Sequence, residues 1–141
     1  MIPGLAVKDA AKAIAFYQAA FGATELYRLT DPTSGKIGHA ELLINGCMIM
    51  LADEYPAFNK APGTLGGTPV KLCLMVKDVD ASVARARDAG ATVVMPPKDQ
   101  FYGHRSACIQ DPFGHEWMFQ CEIEKVSPAE MQRRWDAMVK P

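Results

Sequence analysis

The chain is short of every feature that would direct it to a membrane, a nucleic acid or an oxidising compartment. Its 141 residues carry a formal net charge of −1, so no excess of one sign draws it to nucleic acid or to an anionic lipid surface. No apolar run approaches the roughly 20 residues that a bilayer-spanning helix needs. Met1-Ile2-Pro3-Gly4 lacks the basic and apolar stretches of a secretory leader. Cysteine is scarce: Cys47, Cys73, Cys108 and Cys121 form no CxxC pair, and each lies in or beside an apolar run. They read as reduced thiols in a cytoplasm, not as a disulfide frame or a zinc knuckle. What remains is a cytoplasmic globular chain, 49% hydrophobic and 22% charged, of the size of one domain.

What the chain does have is a duplication. Val7-Lys8-Asp9 returns as Val76-Lys77-Asp78, and Gly22-Ala23-Thr24 as Gly90-Ala91-Thr92. Gly38-His39 through Ile44 is echoed by Gly103-His104 through Ile109. Collinear echoes at a nearly constant offset mean two copies of one supersecondary unit, and such units pair to enclose a site.

The local signals agree. Residues 2–8 read as a strand, and Asp9 caps a helix with Ala10, Ala13, Ile14, Tyr17, Ala20 and Phe21 at helical spacing, ended by Gly22. Thr24 to Leu29 alternate as a strand, and His39–Ile44 with Cys47–Ala52 form a hairpin about Asn45-Gly46. A Pro- and Gly-rich linker follows. The order then repeats: strand 70–76, helix 79–89, strand 92–95, a Pro96-Pro97 loop, strand 105–110, the turn Asp111-Pro112-Phe113-Gly114 and strand 115–121. Ser127-Pro128-Ala129-Glu130 is a capping box that opens a terminal helix over 128–138.

Two such modules joined by a linker resemble the vicinal oxygen chelate superfamily, which includes glyoxalase I, ring-cleaving dioxygenases, fosfomycin resistance enzymes and bleomycin resistance proteins. Val7-Lys8-Asp9 with Phe16-Tyr17, Gly38-His39-Ala40-Glu41-Leu42, Asp99 through Arg105, and Asp111-Pro112-Phe113-Gly114-His115-Glu116-Trp117 resemble its PhnB-like, bleomycin-resistance-like branch. The resemblance implies an α+β fold of two tandem βαβββ modules forming a cupped mixed sheet, with a C-terminal helix. Residues 1–125 would form the domain (module one 1–53, linker 54–68, module two 69–125), followed by the helical segment 126–141. It also implies a homodimer, because such modules commonly complete their cups across a two-fold.

The superfamily's metalloenzymes hold one divalent ion through His, Glu or Gln on the first and last strand of each module. Carried onto this chain, those positions are Ile2, Met50, Lys71 and Met118. None is a hard donor, and the Lys71 ammonium repels a divalent cation. No metal and no cofactor are therefore expected. A displaced set using Glu116 with His39 or Glu41 is the alternative, and would support a metal-dependent lyase, isomerase or dioxygenase. Strand parity places Gly4, Ala6, Met48, Met50, Lys71, Cys73, Met75, Glu116, Met118 and Gln120 on the cup side. Tyr102 and Arg105 would cover its mouth. The candidate ligand-binding residues are thus Met48, Met50, Lys71, Cys73, Met75, Tyr102, Arg105, Glu116 and Met118. Methionines suit a surface that accommodates ligands of variable shape. No catalytic residue is assigned: no Ser or Cys sits in an elbow motif, and Lys71 alone could serve as a desolvated amine. The expected activity is binding or sequestration of a small, partly apolar molecule.

Overall fold

The computed structural model describes residues 1–140; Pro141, the end of the expected C-terminal segment, lies outside them. Module one runs β1 (Gly4–Val7), α1 (Ala10–Phe21), β2 (Thr24–Thr30), β3 (Ile37–Ile44) and β4 (Cys47–Asp53). A short α2 (Pro62–Leu65) follows. Module two repeats the order as β5 (Lys71–Met75), α3 (Val79–Ala89), β6 (Thr92–Asp99), β7 (His104–Gln110) and β8 (Glu116–Glu122), and α4 (Pro128–Val139) closes the chain.

The repeated Val-Lys-Asp is a strand end joined to a helix cap. Asp9 accepts the Lys12 amide and Asp78 accepts the Ala81 amide, each at the N-terminus of its helix. Asn45 and Gly46 both take positive φ, which a two-residue hairpin between β3 and β4 requires. Asp53 ties module one together, its buried carboxylate accepting Ala10 N and Ile37 N at 2.9 and 2.7 Å.

Each module is a four-stranded mixed sheet, in the orders β1-β4-β3-β2 and β5-β8-β7-β6. The β1/β4 and β5/β8 pairs are parallel and the others antiparallel. The fold class is the expected one. Two local expectations are corrected. Pro96-Pro97 is not a loop: β6 runs through it to Asp99, with a register shift between Met95 and Lys98. β6 is an edge strand, so prolines need no ladder partner on its open side. The Pro- and Gly-rich linker, to which the sequence assigns no element, contains α2, with Pro62 at its first position.

The core is a single cluster drawn from both modules. Helices α1 and α3 lie side by side, α1 against β2–β4 and α3 against β6–β8. Phe21 of α1 also reaches β8, its ring centroid 4.7 Å from Trp117 and 5.8 Å from Phe119. The Asp111 carboxylate is the polar hub of this seam. It accepts Tyr17 Oη at 2.5 Å, Trp117 Nε1 at 2.9 Å, Phe113 N at 2.9 Å and His115 N at 3.0 Å. The Asp-Pro-Phe-Gly turn is therefore an architectural motif that docks α1 on β8. Arg85 Nε to Ala19 O (2.7 Å) and Asn45 Nδ2 to Met75 O (3.1 Å) add further links between modules.

Candidate functional site

Strand alternation gives each sheet one face toward the shared helical layer and one face away from it. Leu5, Val7, Ile49, Leu51, Trp117 and Phe119 are buried on the helix side. The other faces are open. The two sheets form separate ladders within one chain, with β1 and β5 as edge strands.

On sheet one, direct register partners align Gly4, Met50, Glu41 and Tyr27 in one row across β1, β4, β3 and β2. Met48 partners Leu43 one step away. His39 Nε2 lies 3.3 Å from Glu41 Oε1, and its ring centroid is 5.8 Å from that of Tyr27. Desolvation, with a hydrogen bond to Glu41, raises the Tyr27 hydroxyl above its ordinary value. A cavity of about 230 Å³ opens beside this row, lined by Gly4, Ala6, His39, Met50, Ala52 and Asn59 among others. The edge of β1 is held by His115, whose Nε2 is 2.9 Å from Ala6 O.

Sheet two carries three rows. Lys71, Glu116 and Gln110 are successive partners on β5, β8 and β7, so the ammonium and the carboxylate stand opposite each other. Cys73, Met118, Cys108 and Met95 form the next row, across all four strands. Met75, Gln120 and Ser106 form the third. Gln120 Nε2 donates to Cys73 Sγ at 3.0 Å. Burial pushes the Cys108 thiol up, opposed by the nearby Lys71 ammonium. Tyr102 sits at the end of this face, its hydroxyl 3.5 Å from Ser106 Oγ.

The sequence-derived set therefore falls into two groups and one exception. Met48 and Met50 share the open face of sheet one. Lys71, Cys73, Met75, Glu116, Met118 and Tyr102 share that of sheet two. Arg105 is the correction. It projects to the helix side, where Nε and Nη2 bind Asp80 Oδ2 and Oδ1 at 2.7 and 2.9 Å and Nη1 binds Asp99 at 2.9 Å. Its guanidinium braces the N-terminus of α3 and has no reach over the open face. Tyr27, Met95 and Cys108 were missed. The signal for Tyr27 and Cys108 was the period-two parity of β2 and β7; Met95 stands on β6 between two register shifts, so parity alone did not place it.

The four positions where the superfamily's enzymes hold a divalent ion do not fit one here. Ile2, Met50, Lys71 and Met118 offer a hydrocarbon, two thioethers and an ammonium, where a hard cation needs oxygen or imidazole donors. The displaced set is not assembled within the chain either, since Glu116 stands on sheet two and His39 and Glu41 on sheet one. Among the described residues no three His, Cys, Asp or Glu side chains converge.

Comparison with known proteins agrees with this architecture. Uncharacterized protein Rv0887c of Mycobacterium tuberculosis is 47% identical over 134 residues, covering 92% of this chain and 78% of that one. The crystal structure of TioX from Micromonospora sp. ML1 superposes with a TM-score of 0.68 at 31% identity, covering 86% of this chain and 97% of that chain. The structure of the Arabidopsis thaliana At5g48480 product gives 0.69 at 31% identity, over 84% and 95%. The profile of one family matches residues 3–119, most of both modules, and the chain belongs to the Glyoxalase/Bleomycin resistance protein/Dioxygenase superfamily.

Proposed function

We propose that this protein is a small-molecule-binding member of the PhnB-like, bleomycin-resistance-like branch, acting by sequestration or carriage of a partly apolar ligand without the divalent metal of the superfamily's enzymes. The observation that carries this reading is the pair of repeat-related rows, Gly4–Met50–Glu41–Tyr27 and Cys73–Met118–Cys108–Met95. In each, a methionine stands at the position that a metal ligand would occupy. A thioether cannot hold a hard divalent ion, whereas it packs on ligands of varied shape. Lys71, Glu116, Glu41 and Tyr27 supply polar groups to orient such a ligand.

The ligand cup is a two-chain feature in this reading. Each open face belongs to one module, and among the described residues the outer edges of β1 and β5 have no strand partner. A second copy facing sheet one with its own sheet two encloses a cup, brings Met50 and Met118 to one floor and makes the protein a homodimer. The four free cysteines suit a cytoplasmic, reducing setting.

A thermal-shift screen with planar and glycopeptide antibiotics, run beside sedimentation of the free protein, tests the proposal. A ligand at 100 times its dissociation constant adds about 2.7 kcal/mol. The expected result is a two-chain species stabilised by at least one compound, with the shift lost in a Met50→Glu/Met118→Glu variant. A stoichiometric divalent ion in protein purified without chelator, lost in Glu41→Ala or Glu116→Ala, would overturn it in favour of a metal-dependent enzyme.

A further inference from the structure

All the sulfur on strands β5 to β8 that lies in the middle row of sheet two faces the same way. Met95, Cys108, Met118 and Cys73 are successive register partners on β6, β7, β8 and β5, and directly opposed residues project from one side of a sheet. On the helix side of the same strands the places level with this row are filled by hydrocarbon and aromatic residues, Leu72, Leu74, Ala107, Ile109, Trp117 and Phe119, with one sulfur, Cys121, toward the end of β8. A face that needed only to be apolar would be served by the residue types on the other side. Four sulfurs in one uninterrupted line call for a different partner.

We propose that this row binds a soft monovalent d10 cation, Cu(I) in the cell and Ag(I) as its surrogate. Thiolate and thioether sulfur select such ions over hard ones. A linear two-coordinate ion needs donors about 4.6 Å apart, from about 2.3 Å per metal–sulfur bond. Neighbouring strands lie about 4.7–4.9 Å apart, so register partners such as Cys73 and Met118 start at a spacing that side-chain rotation can match to one ion. Met118 is the centre of the row, with Cys73 on one side and Cys108 on the other. Cys73 is exposed and Cys108 buried, so the ion enters at Cys73, is held between Cys73 Sγ and Met118 Sδ, and has Cys108 within the row as a third donor.

Binding releases the Cys73 proton to solvent, and no electron is transferred, because the ion arrives and stays in its monovalent state. The Gln120 amide, already donating to Cys73 Sγ at 3.0 Å, orients that sulfur. Beside the row, the Lys71 ammonium and the Glu116 carboxylate are register partners of opposite sign. One thiolate with one monovalent cation keeps the site neutral, which a divalent ion would not. All four sulfurs belong to one chain, so this inference does not rest on the two-chain cup or on its organic ligand.

The test uses the full chain, reduced and stripped with chelator, titrated anaerobically with the Cu(I)–bicinchoninate complex and followed by native mass spectrometry. One copper per chain is expected, with a thiolate-to-copper band in the near ultraviolet. Cys73→Ser and Met118→Leu should each weaken copper uptake by roughly tenfold or more, while Cys47→Ser, an exposed thiol on the other sheet, leaves it unchanged. Met118→Leu keeps the side-chain volume and hence the fold. Failure to draw copper from bicinchoninate, uptake by Met118→Leu equal to that of the parent, or a loss in Cys47→Ser as large as in Cys73→Ser would each overturn the proposal.

Discussion

Tyr17 shows how much a single side chain carries in this fold. It is fully buried, and its hydroxyl donates to Asp111 at 2.5 Å while Trp117 donates to the same carboxylate oxygen. Burial first, and the Asp111 charge second, push its phenol well above the ordinary value of 10.0. The unfolded chain loses this proton near pH 10 and the folded chain keeps it. Stability is therefore complete below about pH 10 and falls as the pH rises beyond it, by at most about 1.4 kcal/mol per pH unit for one proton. Urea unfolding across that range should show the decline, and Tyr17→Phe should flatten most of it while lowering stability at neutral pH. An unchanged slope in Tyr17→Phe would assign the alkaline sensitivity to another group. The role of Tyr17 was half visible in the sequence. Its helical spacing placed it in the core, but its carboxylate partner lies 94 positions away and no local pattern could name it.

At the scale of elements, the β6–β7 connection decides where the C-terminal helix sits. Gly103 has a φ of +89°, and its carbonyl accepts the amides of both Ile123 and Glu124. A Cβ there would run into the Glu124 carbonyl oxygen and come within 2.9 Å of Val126 Cγ2. Arg134 of α4 then bonds Phe101 O at 2.8 Å and Glu124 at 2.9 Å, and Trp135 packs on Phe101. Gly103→Ala should cost about 3 kcal/mol, left-handed strain plus overlap with backbone. Gly46→Ala, with a φ of +77° but nothing within 4 Å, should cost about 1 kcal/mol. Equal urea midpoints for the two variants would show that the Gly103 contact does not anchor α4. The helices, caps and hairpin were legible because their signals span a few residues. Pro96-Pro97 misled because proline's effect depends on whether its strand has a neighbour on that side.

For the whole molecule, the decisive fact is that the two modules share one core. Phe21 contacts Tyr17, Trp117 and Phe119 with ring centroids 5.6, 4.7 and 5.8 Å apart, so one side chain of module one helps to fill the core of module two. Phe21→Ala should destabilise both modules together, by about 3–5 kcal/mol, in one calorimetric transition whose enthalpy matches its van't Hoff value. Two resolved transitions, one per module, would mean that the seam is a contact between independent units. Each sheet keeps its own open face beside this shared layer, and the cup proposed above is closed by a second copy.

The duplication, the order of elements, the face each strand residue takes and the lack of hard donors at Ile2, Met50, Lys71 and Met118 all follow from residue types at short range. They depend on local backbone preferences and on strand periodicity, which a linear pattern records. The seat of Asp111 beneath Tyr17 and Trp117, the diversion of Arg105 to Asp80 and Asp99, and the alignment of Cys73, Met118, Cys108 and Met95 are decided only by tertiary structure. Each needs the register between strands or the docking of a helix on a distant sheet. Those are set by the simultaneous burial of many side chains from both modules, and no short stretch of the chain contains that information.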